Sequence, residues 1–387
     1  SKKIKVLHII TQLDLGGAQK NALDIVSFLD KEKYTVYFVS SQKGLLAREA
    51  LSIPRVNIVL LPSLKRPIDL IADAVSLFKL TSLFKKEAID LVHTHSSKAG
   101  ILGRWAAHFA GVRFIVHTVH GWSFNDRQHF LTKSLYIFLE KITARFTDKF
   151  VAVTKSDIQK GLAHKIGRKN KYALIPYGIE SKYFLKPNVE KKKKKKELGL
   201  DEDTQLVGMV ACFKPQKSPL DFVRVASLII EKRPKTHFIM VGDGILRKSV
   251  ERLIEKSRLK DNFILTGWRR DIAELMSCLD VLTLTSLWEG FPIVFLEGMY
   301  SKLPIVAYDV DGVREVINEG VNGFLVRPGD IDTMASRIEE LLGNREFART
   351  LGNNGFNYAM NNGCDTTRML TDFDNLYANL AANSRPD

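Results

Sequence analysis

The chain has 387 residues, of which 45% are apolar and 26% charged, and its 58 basic and 43 acidic side chains give a formal net charge of +15. A chain of this length and apolar content can form two globular domains, so disorder and fibrous structure are excluded as overall descriptions. The three cysteines are Cys212, Cys278 and Cys364. They have no short paired spacing, which argues against a disulfide framework or a structural zinc site and favours a reducing compartment.

Short β-branched runs alternate with helical patterns along the first half of the chain. The predicted strands are IKVLHII, YTVYFVS, NIVLLP, IDLVHTH, FIVHTVH, KFVAVT and YALIPYG, and the predicted helices cover AQKNALDIVSFL and about 68–87, 98–110 and 127–147. The first apolar run leads directly into a polar loop, which predicts a β-strand and not a signal peptide. No apolar run reaches the length of about 18 residues that a membrane span needs.

The second half repeats this rhythm. Its predicted strands are LVGMVAC, THFIMVGDG, NFILTGW, VLTLTS, PIVAYD and VNGFLV, with helices over about 219–231, 246–257, 270–277 and 293–301. Alternation of strand and helix is typical of a parallel sheet with helices on both faces. We therefore predict an α/β chain with two doubly wound, Rossmann-like domains that face a central cleft.

The domain limits follow from composition. We predict a first domain over 1–186, a linker over 187–203, and a second domain over 204–365. The linker contains six consecutive lysines from Lys191, which we interpret as a solvated loop. The last segment, 366–387, has an apolar stripe at helical spacing that needs a partner, so we expect it to cross back onto the first domain.

The positive charge is unevenly distributed. Residues 1–190 hold 30 basic and 15 acidic side chains, whereas residues 191–387 hold 28 of each. The whole excess therefore lies in the first half, which suggests that one domain meets an anionic partner and the other does something different. Nucleic acid, a membrane surface and a phosphorylated substrate all fit this distribution.

Two segments could bind a phosphorylated sugar. Gly16 and Gly17 precede a helix, so backbone amides and the helix dipole can approach an anion there, although such a pair also forms plain turns. Glu289 and Glu297 lie eight residues apart around a second helix start. The residues between them that bring amides or a favourable first turn to that start are Gly290, Phe291, Pro292, Ile293 and Val294. Two carboxylates for hydroxyls and amides for phosphate would grip a sugar nucleotide; the alternative is simple complementarity to the helix dipole.

Four histidines stand at the ends of two predicted strands. They are His93, His95, His117 and His120. Their spacing could suggest zinc, but histidines at strand ends more often bond sugars or backbone, and no cysteine accompanies them. We therefore predict no metal site there.

The segment LTSLWEGFPIVFLEGMYSKLPIVAYDVDGVREVINEGVNGFLV resembles the EX7E signature of the retaining glycosyltransferases of family 4, which have the GT-B fold. Other stretches agree in order and spacing: the Gly16–Gln19 loop, VHTHSSKAGILGRWAA, IVHTVHGWSF, VAVTKSD, IPYGIE, GMVACFKPQK and GWRRDI. This resemblance covers about 1–380 and implies a transferase that takes its sugar from a nucleotide sugar, with UDP expected, and needs no cofactor.

The resemblance also implies roles for the donor residues. Glu297 would hold the ribose hydroxyls, Glu289 the hydroxyls of the donor sugar, and Lys217 the diphosphate. The residues that would lie near the base are Gly267, Trp268 and Arg269. Closure of the two domains would bring Gly16 and Gly17 up to the phosphates.

The family pattern differs from this chain at one donor position. The family usually has an arginine where this chain has Cys212, and a neutral thiol cannot replace a guanidinium. We hypothesise that Lys214 supplies the missing charge. Asp309 and Asp311 match a metal-binding DxD by letters only, so we expect no metal dependence.

In the first domain, the resemblance implies that His120 faces the donor sugar and the acceptor, orienting them and stabilising positive charge through its backbone carbonyl. His95 and Lys98 would lie nearer the acceptor. Because the pattern supplies no obvious nucleophile for double displacement, the implied mechanism is front-face substitution, in which the leaving phosphate takes the acceptor proton.

Two basic helical segments are candidates for a membrane surface, LKRPIDLIADAVSLFKLTSLFKK and DRQHFLTKSLYIFLEKITARFTDK. The second sets Phe130, Leu131, Tyr136, Phe138 and Leu139 beside Lys133, Lys141, Arg145 and Lys149. Amphipathic basic helices lie in anionic membrane surfaces; the alternative is that these apolar residues face the domain core.

We therefore expect a glycosyltransferase on the cytoplasmic face of the membrane that acts on a lipid-linked, polyprenyl diphosphate acceptor. A sugar-nucleotide 2-epimerase of the same fold and a soluble transferase with a small-molecule acceptor remain alternatives. Nucleic acid is not expected, because no recognised nucleic-acid module is present.

Overall fold

The computed structural model describes residues 3–124 and 128–382, which fall into two compact units. The first unit comprises Ser1–Tyr177 and Thr367–Asp387, and the second comprises Gly178–Thr366. The predicted boundary at 186 thus differs from the observed one, and the parts of the predicted domains at 1–2, 125–127 and 383–387 lie outside the described residues.

The first unit is a parallel sheet covered by helices. Its strands are β1 (Ile4–Ile9), β2 (Tyr34–Ser40), β3 (Val56–Leu60), β4 (Leu91–His95), β5 (Phe114–Val119), β6 (Lys149–Ala152) and β7 (Tyr172–Leu174). Its helices are α1 (Gly17–Phe28), α2 (Ala47–Leu51), α3 (Leu70–Lys86), α4 (Ser97–Ala110), α5 (Phe130–Thr143), α6 (Lys155–Ala163) and, from the end of the chain, α15 (Thr366–Ala382). The strand order is β3-β2-β1-β4-β5-β6-β7.

The terminal helix α15 completes the core of the first unit, as its apolar stripe predicts. Met369, Phe373 and Tyr377 are buried in the same apolar cluster as Val6 and Phe38 of the sheet. Burying such a stripe removes it from water, and this packing holds the end of the chain on the unit with which the chain begins.

The second unit has the same architecture. Its strands are β8 (Leu206–Val210), β9 (His237–Val241), β10 (Phe263–Gly267), β11 (Val281–Leu284), β12 (Ile305–Tyr308) and β13 (Gly323–Val326), in the order β10-β9-β8-β11-β12-β13. Its helices are α7 (Ser181–Leu185), α8 (Lys191–Glu197), α9 (Pro219–Lys232), α10 (Arg247–Lys256), α11 (Ile272–Cys278), α12 (Ile293–Tyr300), α13 (Ile331–Gly343) and α14 (Arg345–Asn361).

Each sheet has one point at which the strand order reverses, between β1 and β4 in the first unit and between β8 and β11 in the second. Loops leaving the carboxyl ends of the two central strands diverge there and open a crevice, which is where doubly wound sheets bind ligands. The fold therefore directs attention to the residues that follow these four strands.

The lysine run corrects one prediction. The segment 187–203 is not a solvated loop, because its lysines form α8 and belong to the second unit. The Lys195 ammonium is buried and donates to the carbonyls of Glu202 and Thr204 at 2.8 and 2.6 Å. Lysine is a good helix former with a long aliphatic stem, so a basic run can form a helix wherever its ammonium groups find acceptors.

Candidate active site

The second unit brings two predicted catalytic residues together. Lys217 follows β8, Glu289 follows β11, and the Lys217 ammonium forms an ion pair with Oε1 of Glu289. Only 17% of the lysine side chain and 7% of the glutamate side chain are exposed. A cation and a carboxylate are thus held side by side at the switch point of the sheet.

Four hydrogen bonds hold together the two loops that carry this pair. The buried Thr285 hydroxyl lies 2.9 Å from the carbonyl oxygens of both Lys217 and Ser218. The Gln216 side chain donates to the carbonyl of Trp288 at 2.8 Å, and the Gln216 carbonyl accepts from the amide of Leu287 at 2.8 Å. The position of the ion pair is therefore set by neighbours that sequence analysis did not single out.

Residues 290–294, which follow Glu289, lead into α12. Pro292 is the N-cap, and the amides of Ile293 and Val294 fall among the first N–H groups of the helix, which have no partner within it. Glu297 lies one turn into α12 and is 8% exposed. Phe291 and Gly290 are partly buried in the turn before the cap. This arrangement fits an anion at the helix start with a carboxylate beside it.

In the loop after β10, the three residues predicted to lie near the base differ from one another in exposure and in hydrogen-bond partners. Gly267 adopts a left-handed φ of 70°, and Trp268 after it is 39% exposed. Arg269 is held by Asp271 at 2.7 Å and by Glu197 of α8 at 2.8 Å. The Arg269 hydrogen bonds keep the pKa of Asp271 below its usual range. The guanidinium thus anchors α8, whereas Trp268 and Arg270 of this loop are exposed.

The loop after β8 holds the position at which this chain departs from the family pattern, and the loop after β12 holds the Asp309–Asp311 segment. Cys212 and Lys214 are both partly buried, and the Lys214 amide donates to the Cys212 carbonyl at 2.9 Å. Asp309 is bound by the guanidinium of Arg314, with one of the two bonds at 2.9 Å. Asp309 thus has a cationic side chain as its partner in this structure.

In the first unit, the carboxyl ends of β1 and β4 border a cavity of about 370 Å³. It is lined by Thr11, Gln12, Asp14, Gln19, Arg66, Ile68, Asp73, Ser96, Ser97, Lys98, Ile101, Leu102, Ser123, Tyr136, Leu139 and Glu140. The exposed pair Gly16 and Gly17 starts α1 beside it, and a Cβ on Gly16 would come within 2.6 Å of Oε1 of Gln19. The cavity combines charged residues with an apolar wall, as ligand sites do.

Lys98 lies in the wall of this cavity. Its ammonium is 2.5 Å from Oδ1 of Asp73 and 2.9 Å from the carbonyl of Lys65. These bonds tie the loop before α3 to the start of α4. Nearby, Ser96 has a φ of 61° and a ψ of 164°, a conformation that costs about 1–3 kcal/mol outside glycine and is typical of functional sites.

His95 does not lie where the resemblance implies. It is fully buried, its Nε2 is 3.0 Å from Nδ1 of His8, and its Nδ1 is 2.9 Å from Nε2 of His120. Both ring nitrogens are thus occupied inside the protein, so the prediction that His95 contacts the acceptor is wrong for this structure. His120 is partly buried and its Nδ1 is bonded to the Tyr177 hydroxyl.

Sequence analysis missed three members of this cluster: His8, Tyr177 and Tyr377. A signal for His8 was present, because it is the register partner of His93 in the parallel pair β1–β4 and both positions point to one face. Tyr377 lies 284 residues after His93, and nothing local in the sequence indicates that its hydroxyl bonds to the histidine cluster.

Helix α5 buries a polar face and exposes an apolar one, which is the reverse of an ordinary surface helix. Its buried residues are the polar Glu140 and Thr143, whereas Leu131, Leu135 and Phe138 are 52–68% exposed. These three follow the i, i+4, i+7 spacing of a single helix face. Helix α3 has an equivalent exposed face at Ile71, Val75 and Phe78. The alternative that the apolar residues of α5 all face the core is therefore wrong for this stripe.

Two parallel-sheet units of this kind make up the GT-B fold of glycosyltransferases. Residues 190–358 match the family model described as glycosyl transferases group 1, and residues 15–183 match that of glycosyltransferase family 4. The chain belongs to the family 4 glycosyltransferases.

Three known proteins illustrate the relationship. An Escherichia coli enzyme named UDP-Gal:α-D-GlcNAc-diphosphoundecaprenol α-1,3-galactosyltransferase is 34% identical over 87% of this chain and 87% of its own length. CapM of Staphylococcus aureus, named as a capsular polysaccharide biosynthesis glycosyltransferase, is 25% identical over 92% of both chains. The structure of Anabaena HepE with UDP and glucose covers 97% of this chain and 100% of its own, with a TM-score of 0.82 and 21% identity.

Among residues 3–124 and 128–382, no helix has both the length and the apolar character needed to cross a bilayer.

Proposed function

We propose that this glycosyltransferase moves a sugar from a UDP-sugar to a hydroxyl of a lipid-linked sugar diphosphate, with retention of anomeric configuration and without a metal. The observation that carries the proposal is the Lys217–Glu289 ion pair at the switch point of the second sheet, beside the start of α12. A fixed cation next to free helix amides suits the charge that builds on a departing diphosphate.

The donor residues divide the work by chemistry. The Lys217 ammonium and the amides of Ile293 and Val294 stabilise the diphosphate, while Glu289 accepts hydrogen bonds from the donor sugar and Glu297 from the ribose. Because Lys217 compensates the charge of Glu289, this carboxylate is better suited to binding hydroxyls than to attacking the anomeric carbon. That supports front-face substitution, in which the bond from the anomeric carbon to phosphate breaks as the acceptor oxygen bonds on the same face, and the phosphate takes the acceptor proton.

The cavity of the first unit is the proposed acceptor site. It offers Arg66 for an anionic group and an apolar wall with Ile68, which is 69% exposed. The E. coli relative is named for a diphosphoundecaprenol acceptor, which has both properties. The first half of the chain carries its whole excess of positive charge. That charge suits the binding of a diphosphate held at an anionic membrane surface.

Transfer is tested with the purified chain, a panel of UDP-, GDP- and ADP-sugars and a polyprenyl diphosphate sugar acceptor. Binding raises thermal stability by RT ln(1 + [L]/Kd), which selects the donor, and proton NMR of the product gives its anomeric configuration. We expect transfer with retention, unchanged by EDTA and reduced about a hundredfold or more in Lys217→Met. The matched control is Lys232→Met, which removes a 69% exposed lysine that pairs with Glu339 in the same unit. Inversion, dependence on a metal, or conversion of the donor without an acceptor would each refute the proposal.

The exposed stripes of α3 and α5 are proposed to dock on an anionic membrane, at the cytoplasmic face where UDP-sugars are available. Both helices border the acceptor cavity, through Ile68 just before α3 and through Tyr136 and Leu139 of α5. Exposed basic residues accompany them, including Lys79, Lys141 and Arg145, each worth about 1 kcal/mol at an anionic surface.

Vesicle sedimentation tests this docking. The chain is expected to bind vesicles of phosphatidylglycerol more strongly than vesicles of phosphatidylcholine, and to lose this binding when Leu131, Leu135 and Phe138 are all changed to serine. Met360→Ser, at a 51% exposed position of the second unit, is the control. Equal partition onto the two kinds of vesicle would count against the proposal.

A further inference from the structure

A continuous line of hydrogen bonds crosses the first unit and ends at Tyr177; we call it the imidazole chain. Its members, in order, are Thr118, His93, Tyr377, His8, His95, His120 and Tyr177. The first five links measure 2.7, 2.5, 3.2, 3.0 and 2.9 Å, and the last joins Nδ1 of His120 to the Tyr177 hydroxyl. Four imidazoles, two phenols and one threonine hydroxyl are thereby connected.

The imidazoles of the chain are neutral. Burial lowers the pKa of His8 and of His120 to about 3, and it holds the pKa values of His93 and His95 well below their usual range. Burial also raises the pKa of Tyr377 well above 10. Each ring therefore carries one N–H and one acceptor nitrogen, and each phenol keeps its proton.

This proton count leaves two arrangements in which every link is made and the Tyr377 proton is used within the chain. In the first, Thr118 and Tyr377 donate to histidine nitrogens, and all four imidazoles carry their proton on Nδ1, so that His120 donates to Tyr177. In the second, Tyr177 donates to His120, all four imidazoles carry their proton on Nε2, and Thr118 accepts from His93. One mixture, with the proton on Nδ1 of His93 and on Nε2 of the other three rings, also makes every link, but Tyr377 then accepts twice and its own proton has no acceptor in the chain. Every other mixture leaves at least one link without a proton, at about 1–3 kcal/mol for each buried group left unpaired.

We propose that the imidazole chain is a positioning device through which α15 fixes the tautomer and orientation of His120. His8, His93, His95, Tyr177 and Tyr377 act through His120 and are not themselves catalytic residues. The proposal rests on the proposed function only for the part that His120 plays in transfer. Because the His120 ring is bonded at both nitrogens, it is held rigidly, and its backbone carbonyl is held with it.

A cation site is the competing interpretation of the same cluster. One ring nitrogen from each of His8, His93 and His95 lies within 4.8 Å of the others, close enough for a shared ion. All six nitrogens of these rings, however, already make the hydrogen bonds of the imidazole chain. A cation would have to displace several of those bonds, whereas the neutral chain satisfies every ring.

Removing the hydroxyl of one phenol or of the other should force opposite tautomers at His120, because a buried acceptor without a partner is tolerated better than a buried N–H without one. Tyr177→Phe removes the hydroxyl that is bonded to Nδ1 of His120, so the imidazoles should carry their protons on Nε2. Tyr377→Phe removes the hydroxyl that is bonded to Nε2 of His8, so His8, His95 and His120 should carry their protons on Nδ1. His93, bonded then to Thr118 alone, should switch to Nε2–H.

The control is Tyr34→Phe. The Tyr34 hydroxyl donates to Asp374 of α15 at 2.6 Å, and its ring centroid lies 6.0 Å from that of Tyr377. This variant therefore removes a phenol hydroxyl from the same helix contact without touching the imidazole chain, and it should leave all four tautomers as in the native protein.

The test is long-range nitrogen–proton NMR of the full chain labelled at its histidine nitrogens, which distinguishes Nδ1–H from Nε2–H. We expect one shared tautomer in the native protein, and a reversal at His120 in one of Tyr177→Phe and Tyr377→Phe but not in both. Only the reversed variant should lose kcat, by about tenfold or more, with an unchanged KM for the donor. Mixed native tautomers, uptake of zinc in stoichiometric amount, or equal kcat in the two variants would overturn the proposal. The tautomers are measured without turnover, so failure of the proposed function leaves that result intact.

Discussion

Nη2 of Arg104 lies 2.8 Å from Oε2 of Glu140, and both side chains are almost completely buried. This ion pair binds α4 to α5 through the polar face of α5, which is why the apolar stripe of that helix faces outward. The arginine also donates to the carbonyl of Gly100 at 2.8 Å, so the charged group is well satisfied inside the first unit.

Removing one charge from this pair should be costly. Glu140→Gln leaves the buried guanidinium uncompensated and is expected to lower the free energy of unfolding by about 3–5 kcal/mol, while Arg104→Met combined with Glu140→Leu should recover most of that loss. Urea unfolding measures both. Lys33→Ala, which breaks an exposed pair with Asp374, should cost less than about 1 kcal/mol. A loss below 1 kcal/mol in Glu140→Gln would show that the pair does not hold α5.

The buried histidines make the first unit sensitive to acid. Burial lowers the pKa values of His8, His93, His95, His117 and His120 in the folded chain. Since the unfolded chain binds protons below about pH 6.5 and the folded chain does not, stability is intact above that pH and falls as the pH is lowered toward 3. Each histidine contributes up to about 1.4 kcal/mol per pH unit.

Hydrogen exchange checks this prediction in each unit separately. Between pH 7 and pH 5, after correction for the intrinsic rate, amides of β4 and β5 should lose protection much faster than amides of β8 and β11. His93→Gln should reduce the pH slope of the first unit. Equal slopes in the two units would contradict the assignment of neutral buried imidazoles.

The alternation of strand and helix fixes most of the fold, because the 2.0 and 3.6 residue periods of buried positions are local. The helix predicted over 98–110 is observed as Ser97–Ala110, and that over 293–301 as Ile293–Tyr300. The predicted start of α5 at residue 127 lies outside the described residues. Such boundaries depend on short-range chemistry.

The site was only partly predictable, because several of its contacts join residues that lie far apart in the sequence. Lys217 and Glu289 follow neighbouring strands of a parallel sheet, so their proximity follows from topology. His95 was misplaced because its burial depends on Tyr377 and α15, which no local pattern connects to β4. The lysines of α8 were misjudged because their burial depends on acceptors that a lysine run does not reveal: the carbonyls of Glu202 and Thr204 for Lys195, and the distant Asp271 for Lys194.

The donor loop leads to a prediction about charge. If Lys214 replaces the arginine usual at the position of Cys212, Lys214→Ala should lower kcat/KM for the donor about 10- to 150-fold, which corresponds to loss of one charged contact worth about 1.5–3 kcal/mol. Adding Cys212→Arg to that variant should restore most of the activity. Steady-state kinetics with the preferred UDP-sugar measure both, and unchanged turnover in Lys214→Ala would refute the compensation.

Thr285 should position Lys217 without touching substrate. Its buried hydroxyl bonds the carbonyls of Lys217 and Ser218, and Ser218 has a left-handed φ of 40° that needs such support. Thr285→Val keeps the shape but removes the donor, which should lower stability by about 1–3 kcal/mol and reduce kcat more than it raises the KM for the donor. Thr285→Ser keeps the hydroxyl and should rescue kcat. If the valine and serine variants lose kcat equally, the lost methyl or local packing, and not the hydroxyl, holds the lysine in place.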